Sequence, residues 1–359
     1  MTHWPQRQAA LLDALAASGA LPSDWRPAFE AVPRHQFIPQ EVWRQEASCV
    51  PVEAGDEWWS LVYSDTPIVT QLDDGRPGGP GIATSSNSKP SLVARMLGAL
   101  DVTEGHRVLE IGTGTGWNAA LLSARLGSRR VTTVEVDQDV AAEAEKAIRS
   151  AGYSPRVVHA DGEQGFADDA PYNRVIATCS VRRVPPAWIE QTAPGGFILA
   201  PLGLDFWSGA LLRLRVADGT AQGRAVGGVQ FMPMRSHRPA QDAPVDDSTA
   251  RPSPGALVPE TLASLGFALY ASARLPGIAM TQGQHDGVPQ VWLWDRQGSA
   301  ATVTDREVWQ YGPRDLWDEV TEAHAVYIRA GAPAAEEFGV TVDSGGQRLW
   351  LRSPEHPVV

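Results

Sequence analysis

Apolar residues recur at helical spacing over residues 6–17, where Leu11, Leu12, Leu15 and Ala16 share one face, and Gly19 stops the run. A second helix is predicted over 25–31. Between 54 and 88 periodicity gives way to Gly, Pro, Asp and Ser. That stretch reads as one long irregular segment, and long loops are often functional. From Leu92 the pattern changes. Helices predicted over 92–100, 117–126, 138–151 and 186–193 alternate with apolar runs at 107–111, 131–136, 156–159, 174–178 and 197–201. Strands and helices alternating at these lengths predict a mostly parallel sheet with helices on both faces. Ligands of such sheets sit at the carboxyl ends of the strands.

Beyond this α/β part the pattern predicts two antiparallel strands over 211–231. Residues 236–254 are Pro, Asp, Ala and Ser with almost no large apolar residue, the composition of a linker. Short apolar runs then resume, as in Val291-Trp292-Leu293-Trp294 and Arg348-Leu349-Trp350-Leu351, with one amphipathic helix over 315–330 among them. The expected organisation is a catalytic domain over 1–235, a linker over 236–255 and a smaller C-terminal α+β domain over 256–359, a candidate for substrate recognition.

Composition narrows the class. With 43% hydrophobic and 20% charged residues the chain can bury a core throughout. A net charge of -12, with lysine only at Lys89 and Lys146, argues against a nucleic-acid binder, which needs a basic face. Cys49 and Cys179 lie far apart and offer no metal-ligand spacing, so two buried thiols are expected and no metal. No apolar stretch has the length of a membrane span and no signal peptide is seen, so a cytoplasmic protein is expected.

The chemistry concentrates at Gly112-Thr113-Gly114-Thr115-Gly116, between a predicted strand and a predicted helix. Glycines there let a ligand lie against backbone, and the helix amides face it. A plain tight turn would use the same glycines. Trp117 stands where a nicotinamide fingerprint has Gly or Ala, and Trp117-Asn118 replaces the Lys-Ser/Thr of a phosphate-binding loop. Three acids stand near successive strand ends. Glu135 is placed to accept from both ribose hydroxyls, or is a solvated strand-end acid. Asp161-Gly162 is placed to accept from an adenine amino group with room for the ring, or is an ordinary Asp-Gly turn. Glu110 would meet a cationic tail, or caps the turn. Together they suit adenosine carrying a positive charge.

At these residues the sequence resembles the protein-L-isoaspartate O-methyltransferase family. The likeness covers roughly 32–203. It runs through Val32-Pro33-Arg34-His35-Gln36-Phe37-Ile38-Pro39, Tyr63-Ser64-Asp65 and Ser88-Lys89-Pro90-Ser91. It continues through Val108-Leu109-Glu110-Ile111 with the glycine loop, Asp161-Gly162-Glu163-Gln164-Gly165 and Gln191-Thr192-Ala193-Pro194-Gly195-Gly196. The resemblance implies a Rossmann-like class I methyltransferase fold and S-adenosyl-L-methionine as cofactor. It implies a cofactor site of Asn87, Glu110, Gly112, Thr113, Gly114, Thr115, Gly116, Glu135, Val136, Asp161, Gly162 and Thr178. Ser88 matches the family serine between cofactor and substrate carboxylate, with Ser86 and Thr84 as further hydroxyls; Ser88 would also serve as an N-cap for the following helix.

The sequence departs from the family in the hydroxyl-rich stretch Ala83-Thr84-Ser85-Ser86-Asn87, in Asn173 where Asp is usual, and in its length. The added length looks like the extended relatives that modify ribosomally made peptides such as lanthipeptides and graspetides. That likeness implies methylation of an Asp in a precursor peptide, with the ester closing to a succinimide (aspartimide) that opens to isoaspartate; the alternative is general isoaspartate repair. A carboxylate with an ordinary pKa of about 3.9 needs no general base. The protein's task is to hold its oxygen in line with the sulfonium methyl.

Overall fold

Every residue of the strand before the glycine loop is buried, and so is every residue of its neighbour, as expected of central parallel strands covered on both faces. The computed structural model describes residues 4–240, 242–254, 259–285 and 287–358. The chain forms two compact units. One comprises Met1–Cys179, Pro185–Ala200 and Arg215–Gly219, and the other Ser180–Val184, Pro201–Leu214 and Thr220–Val359.

The first unit opens with α1 (Trp4–Ala17), which buries Leu11, Leu12 and Leu15, and α2 (Arg26–Ala31). The Gln8 amide donates to the Phe29 and Glu30 carbonyls and ties the two helices together. Next come β1 (Trp43–Gln45), β2 (Cys49–Pro51), α3 (Asp56–Val62), β3 (Ile68–Leu72) and β4 (Ala83–Asn87). These strands form a four-stranded sheet in the order β2-β1-β3-β4. The stretch expected to be irregular, 54–88, therefore holds one helix and two strands. Its strands are five residues long, and β4 reads Ala-Thr-Ser-Ser-Asn, without the apolar alternation that marks a strand facing a core.

The Rossmann-like part follows: α4 (Pro90–Leu100), β5 (Val108–Ile111), α5 (Trp117–Leu126), β6 (Val131–Glu135), α6 (Gln138–Ser150), β7 (Arg156–His159), β8 (Tyr172–Ala177), α7 (Pro186–Glu190) and β9 (Thr192–Leu202). The strands lie parallel in the order β9-β8-β5-β6-β7. The chain leaves β5 toward β6 and β7, then returns to place β8 on its other side. The order reverses between β5 and β8, and such a reversal opens a crevice beyond the carboxyl ends. The glycine loop leaves β5 at that point.

In the second unit β10 (Gly209–Ala217, of which 209–214 belong here) and β11 (Thr220–Val229) lie side by side, joined by the two-residue turn Asp218-Gly219. Both turn residues have positive φ, as a tight hairpin requires. After β12 (Arg251–Ser253) come α8 (Leu265–Arg274), β13 (Ala279–His285), β14 (Val288–Trp294), β15 (Ala300–Val303), β16 (Val308–Tyr311), α9 (Leu316–Arg329), β17 (Phe338–Asp343) and β18 (Gly346–Leu351). β17 pairs antiparallel with β11 and β18 with β17, while β12 to β16 form a separate sheet in the order β12-β16-β15-β14-β13.

Two expectations change here. A second helix, α8, accompanies the expected one, and it escapes an amphipathic search because Gly266 to Ala271 are all buried. The stretch read as linker contributes β12, paired with β16, and Asp242, which accepts from the Trp294 indole at 2.9 Å. The expected boundary at 255/256 lies outside the described residues.

Candidate active site

The glycine loop is shaped by its neighbours as much as by any ligand. At Gly112, φ is 95° and a Cβ would stand 2.7 Å from the Thr178 hydroxyl. At Gly116, φ is 85° and a Cβ would meet Ile148 of α6 at 2.8 Å. Side chains are excluded at both on conformational and steric grounds. The Thr178 hydroxyl donates back to the carbonyls of Ile111 and Gly112, so Thr178 clamps the loop. Thr113 turns inward and donates to Thr133 at 2.7 Å. Thr133 in turn donates to Glu110 at 2.7 Å.

The three predicted acids lie near the ends of β5, β6 and β7, and none is ion-paired among the described residues. Glu110 is fully buried, its second oxygen accepting from Asn118 at 2.7 Å. Burial pushes its carboxyl up to about 7, with the negative charge of Glu135 acting in the same direction. Glu135 is nearly buried and accepts from the Gly114 amide at 2.9 Å and the Asp137 amide at 3.2 Å, one on each oxygen. Each oxygen keeps a lone pair for another donor. Asp161 is exposed and accepts from the Glu163 amide at 3.0 Å. Between Glu135 and the Asp137 cap of α6, Val136 is 37% exposed, an apolar side chain facing solvent beside two acids.

Gly162 has a packing reason to be glycine as well, because a Cβ there would meet Ile111 Cγ2 at 2.6 Å. Its glycine is required by packing against the end of β5. The donor set still fits an adenosine with a cationic tail. It offers carboxylates without cations, an exposed valine and a loop amide held by Glu135, and it lacks the lysine of a phosphate-binding site.

Strand β4 brings the hydroxyls in. Its pairing with β3 shifts register twice, once between Ser85 and Ala83, where Thr84 is the extra residue. Thr84 is engaged elsewhere, donating to Gln71 at 2.9 Å and accepting from the Asp74 amide at 3.0 Å. Ser86, in β4, and Ser88, just past its end, make no side-chain hydrogen bond among the described residues and remain available. Asn87 is buried: its oxygen accepts from Arg34 Nε at 2.7 Å and its nitrogen donates to the Thr115 hydroxyl at 2.8 Å. The predicted cap role of Ser88 is not realised. The first turn of α4 is capped instead by Asp65, which accepts from the Ser91 amide at 2.8 Å and pairs with Lys89 at 3.5 Å.

Sequence reasoning used Arg34 only as part of the motif that carries the family resemblance, and the structure gives its side chain a large role. Its guanidinium is buried and donates to Asn87 Oδ1 and to the carbonyls of Val62, Ser64, Thr66, Asn87 and Ser88 at 2.7–3.3 Å. Burial pulls it down to about 9, and Asp65 opposes that, so it stays charged at neutral pH. It lies over the ring of Trp117, 5.5 Å from the centroid. Trp117 is itself buried and donates to the Val32 carbonyl at 3.1 Å. Beside Arg34, His35 Nδ1 and the Tyr63 hydroxyl are 2.6 Å apart. An arginine in a segment that carries Val32, Pro33, Phe37 and Ile38 was the available signal, since a charge that is buried must find partners.

The Asn173 departure lies away from this cluster. Its side chain accepts from the Arg107 amide at 2.8 Å, just before β5, a task that needs an acceptor but no charge. Cys179 and Cys49 are free and partly buried rather than fully buried. The Cys179 sulfur lies 4.0 Å from the Ile111 carbonyl.

Comparison with known proteins agrees with this arrangement. The family described as Protein-L-isoaspartate(D-aspartate) O-methyltransferase matches residues 6–239. The protein-L-isoaspartate O-methyltransferase of Methanothermobacter thermautotrophicus is 34% identical over 212 residues, 58% of this chain and 85% of the relative. That of Thermococcus onnurineus is 35% identical over 212 residues, 58% of this chain and 84% of the relative. A solved protein-L-isoaspartate O-methyltransferase superposes with a TM-score of 0.57 at 20% identity, covering 96% of this chain and 100% of that one, which shows a shared fold. The chain belongs to the protein-L-isoaspartate O-methyltransferase family, S-adenosylmethionine-dependent enzymes that methylate protein carboxylates.

Proposed function

We propose that this protein methylates the free carboxylate of isoaspartyl residues in proteins and peptides. The observation that carries this reading is the pair of uncommitted hydroxyls, Ser86 and Ser88, on either side of Asn87, which bonds to the glycine loop. When bound, S-adenosylmethionine supplies the methyl group as a sulfonium. Glu135 would accept from its ribose hydroxyls, Val136 and Asp161 would face its adenine, and Glu110 would lie toward its cationic end. Glu110 reaches the ligand only as a buried charge, since Asn118 and Thr133 already donate to it.

Ser88 and Ser86 orient the acceptor carboxylate by donating to it without protonating it. No residue is needed as a base, because the acceptor is ionised at neutral pH. Arg34 serves indirectly: by holding the carbonyls of Asn87 and Ser88 it fixes where the serine hydroxyls point. Transfer of the methyl group neutralises both the acceptor's negative charge and the donor's positive charge, so exclusion of water favours it.

A second reading is a dedicated aspartyl methyltransferase acting on a ribosomally made precursor peptide, with residues 256–359 serving recognition. It is favoured by residues 240–359, which lie outside the region matched by the family. The solved relative whose fold spans 96% of this chain weakens that argument, because the extra region is not peculiar to this chain. Incubation with methyl-labelled cofactor, a short isoaspartyl peptide and its aspartyl twin separates the two. Labelling of the isoaspartyl peptide alone is expected. Failure to label it, with transfer to an aspartyl precursor, would overturn the first reading in favour of the second.

A further inference from the structure

We propose that Asn87 is a positioning residue that couples the glycine loop to Ser88, so that cofactor and acceptor sites keep a fixed mutual placement. This rests on the proposed methyl transfer at Ser88. Its side chain is 2% exposed and has one neighbour on each side. Toward the acceptor side, Asn87 Oδ1 accepts a hydrogen bond from Arg34 Nε at 2.7 Å, and the same guanidinium donates to the Ser88 carbonyl at 3.1 Å. Toward the cofactor side, Asn87 Nδ2 donates to the Thr115 hydroxyl at 2.8 Å. Thr115 stands between Gly114, whose amide is held by Glu135 at 2.9 Å, and Gly116, which starts α5. A chain of hydrogen bonds between side chains and backbone thus runs from Ser88 through Arg34, Asn87 and Thr115 to the loop that carries Gly114.

An apolar side chain could fill the same space without joining the two ends. Burying an amide is favourable only when its donor and acceptor are both met, and here they are met on opposite sides. A plain structural reading would have Asn87 do no more than satisfy Arg34. That reading gives Thr115 no part, so the loop end of the chain is the place to test.

Three variants decide it. Asn87→Leu matches asparagine in size and removes both bonds. Asn87→Asp keeps an acceptor for Arg34 and lets the Thr115 hydroxyl donate instead. Thr115→Val removes only the loop end. With an isoaspartyl peptide at saturating cofactor, Asn87→Leu and Thr115→Val should each lower kcat by about tenfold to a hundredfold, the cost of sub-ångström misplacement of reacting groups. The double variant should be no slower than the slower single, and Asn87→Asp, which keeps a link to Thr115, should lose less than Thr115→Val. In the free protein, amide hydrogen exchange over 85–89 and over 113–116 should rise together in Asn87→Leu and in Thr115→Val.

Wild-type kcat in Thr115→Val, multiplicative losses in the double variant, or faster exchange in one segment only would overturn the coupling. Should Asn87→Leu fail to fold, Thr115→Val and Asn87→Asp carry the same test. A wild-type protein inert toward both isoaspartyl and aspartyl peptides would count against the proposed function instead, and the exchange measurement then decides the coupling on its own.

Discussion

In the proposed methyl transfer two side chains lie nearest the chemistry, Ser88 and Glu110. The Ser88 hydroxyl is uncommitted and α4 is capped by Asp65, so Ser88→Ala should slow methyl transfer by roughly tenfold or more while leaving the unfolding temperature and cofactor affinity near wild type. Unchanged kcat would remove Ser88 from the reaction. Glu110 makes a prediction about pH. Its carboxyl is raised to about 7 by burial, so between the usual acid range and pH 7 the folded protein holds a proton that the unfolded chain releases. Its contribution to stability therefore declines as pH rises through that window. A cationic ligand favours the ionised form. Cofactor affinity should accordingly rise with pH up to about 7, by at most about tenfold per unit, with proton release on binding. Calorimetry in buffers of different ionisation enthalpy measures that release, and Glu110→Gln should abolish it. The placement of Glu110, Glu135 and Ser88 beside the glycine loop was legible in the sequence because each follows from a strand end or a family motif. The work of Arg34 was not, because it acts on backbone carbonyls of 62–66 and 87–88, which become its neighbours only after folding.

Elements were readable in proportion to how much core they serve. β5, β6, α5 and α6 were found to within a residue, since their apolar spacing reflects burial on a sheet. The hairpin of β3 and β4 was missed, although it carries the serines. Its loop is held by Asp73, which accepts from the Gly81 and Ile82 amides at 2.8 and 2.9 Å, and such an anchor leaves no periodic trace. α4 offers a clean test at this scale. Asp65→Ala should cost about 1 kcal/mol, the usual loss of a helix cap, seen as a lower denaturation midpoint. No loss would mean another group caps Ser91. At the start of α5, Gly116→Ala must adopt φ near 85° and press on Ile148, and should destabilise by about 1–3 kcal/mol.

For the whole molecule, the composition and alternating pattern named the α/β class and the extra C-terminal structure, but not where the second unit begins. Residues 201–214 and 220–229 belong with the C-terminal residues, because β11 pairs with β17 and Phe206 packs edge-on against Phe267 at 5.4 Å. Contacts between segments more than fifty residues apart cannot be read from local periodicity. A chain ending at Arg251 would lose β17 and Phe267 and leave β11 an open edge, an invitation to aggregation. It should unfold at lower temperature than the full chain and scatter light on concentration. Equal stability would show the second unit to be dispensable to its own strands.

The setting of Cys179 has a consequence for survival under oxidative stress. Burial, aided by the nearby Glu135 charge, pushes its thiol up to about 12, so almost no thiolate exists at neutral pH. Thiolate is the form that peroxides and alkylating agents attack. The sulfur beside the glycine loop is thereby a poor nucleophile, and mass spectrometry after mild peroxide treatment should find Cys179 largely unmodified; extensive oxidation would overturn this. The glycine loop would therefore tolerate peroxide without a modified thiol beside it.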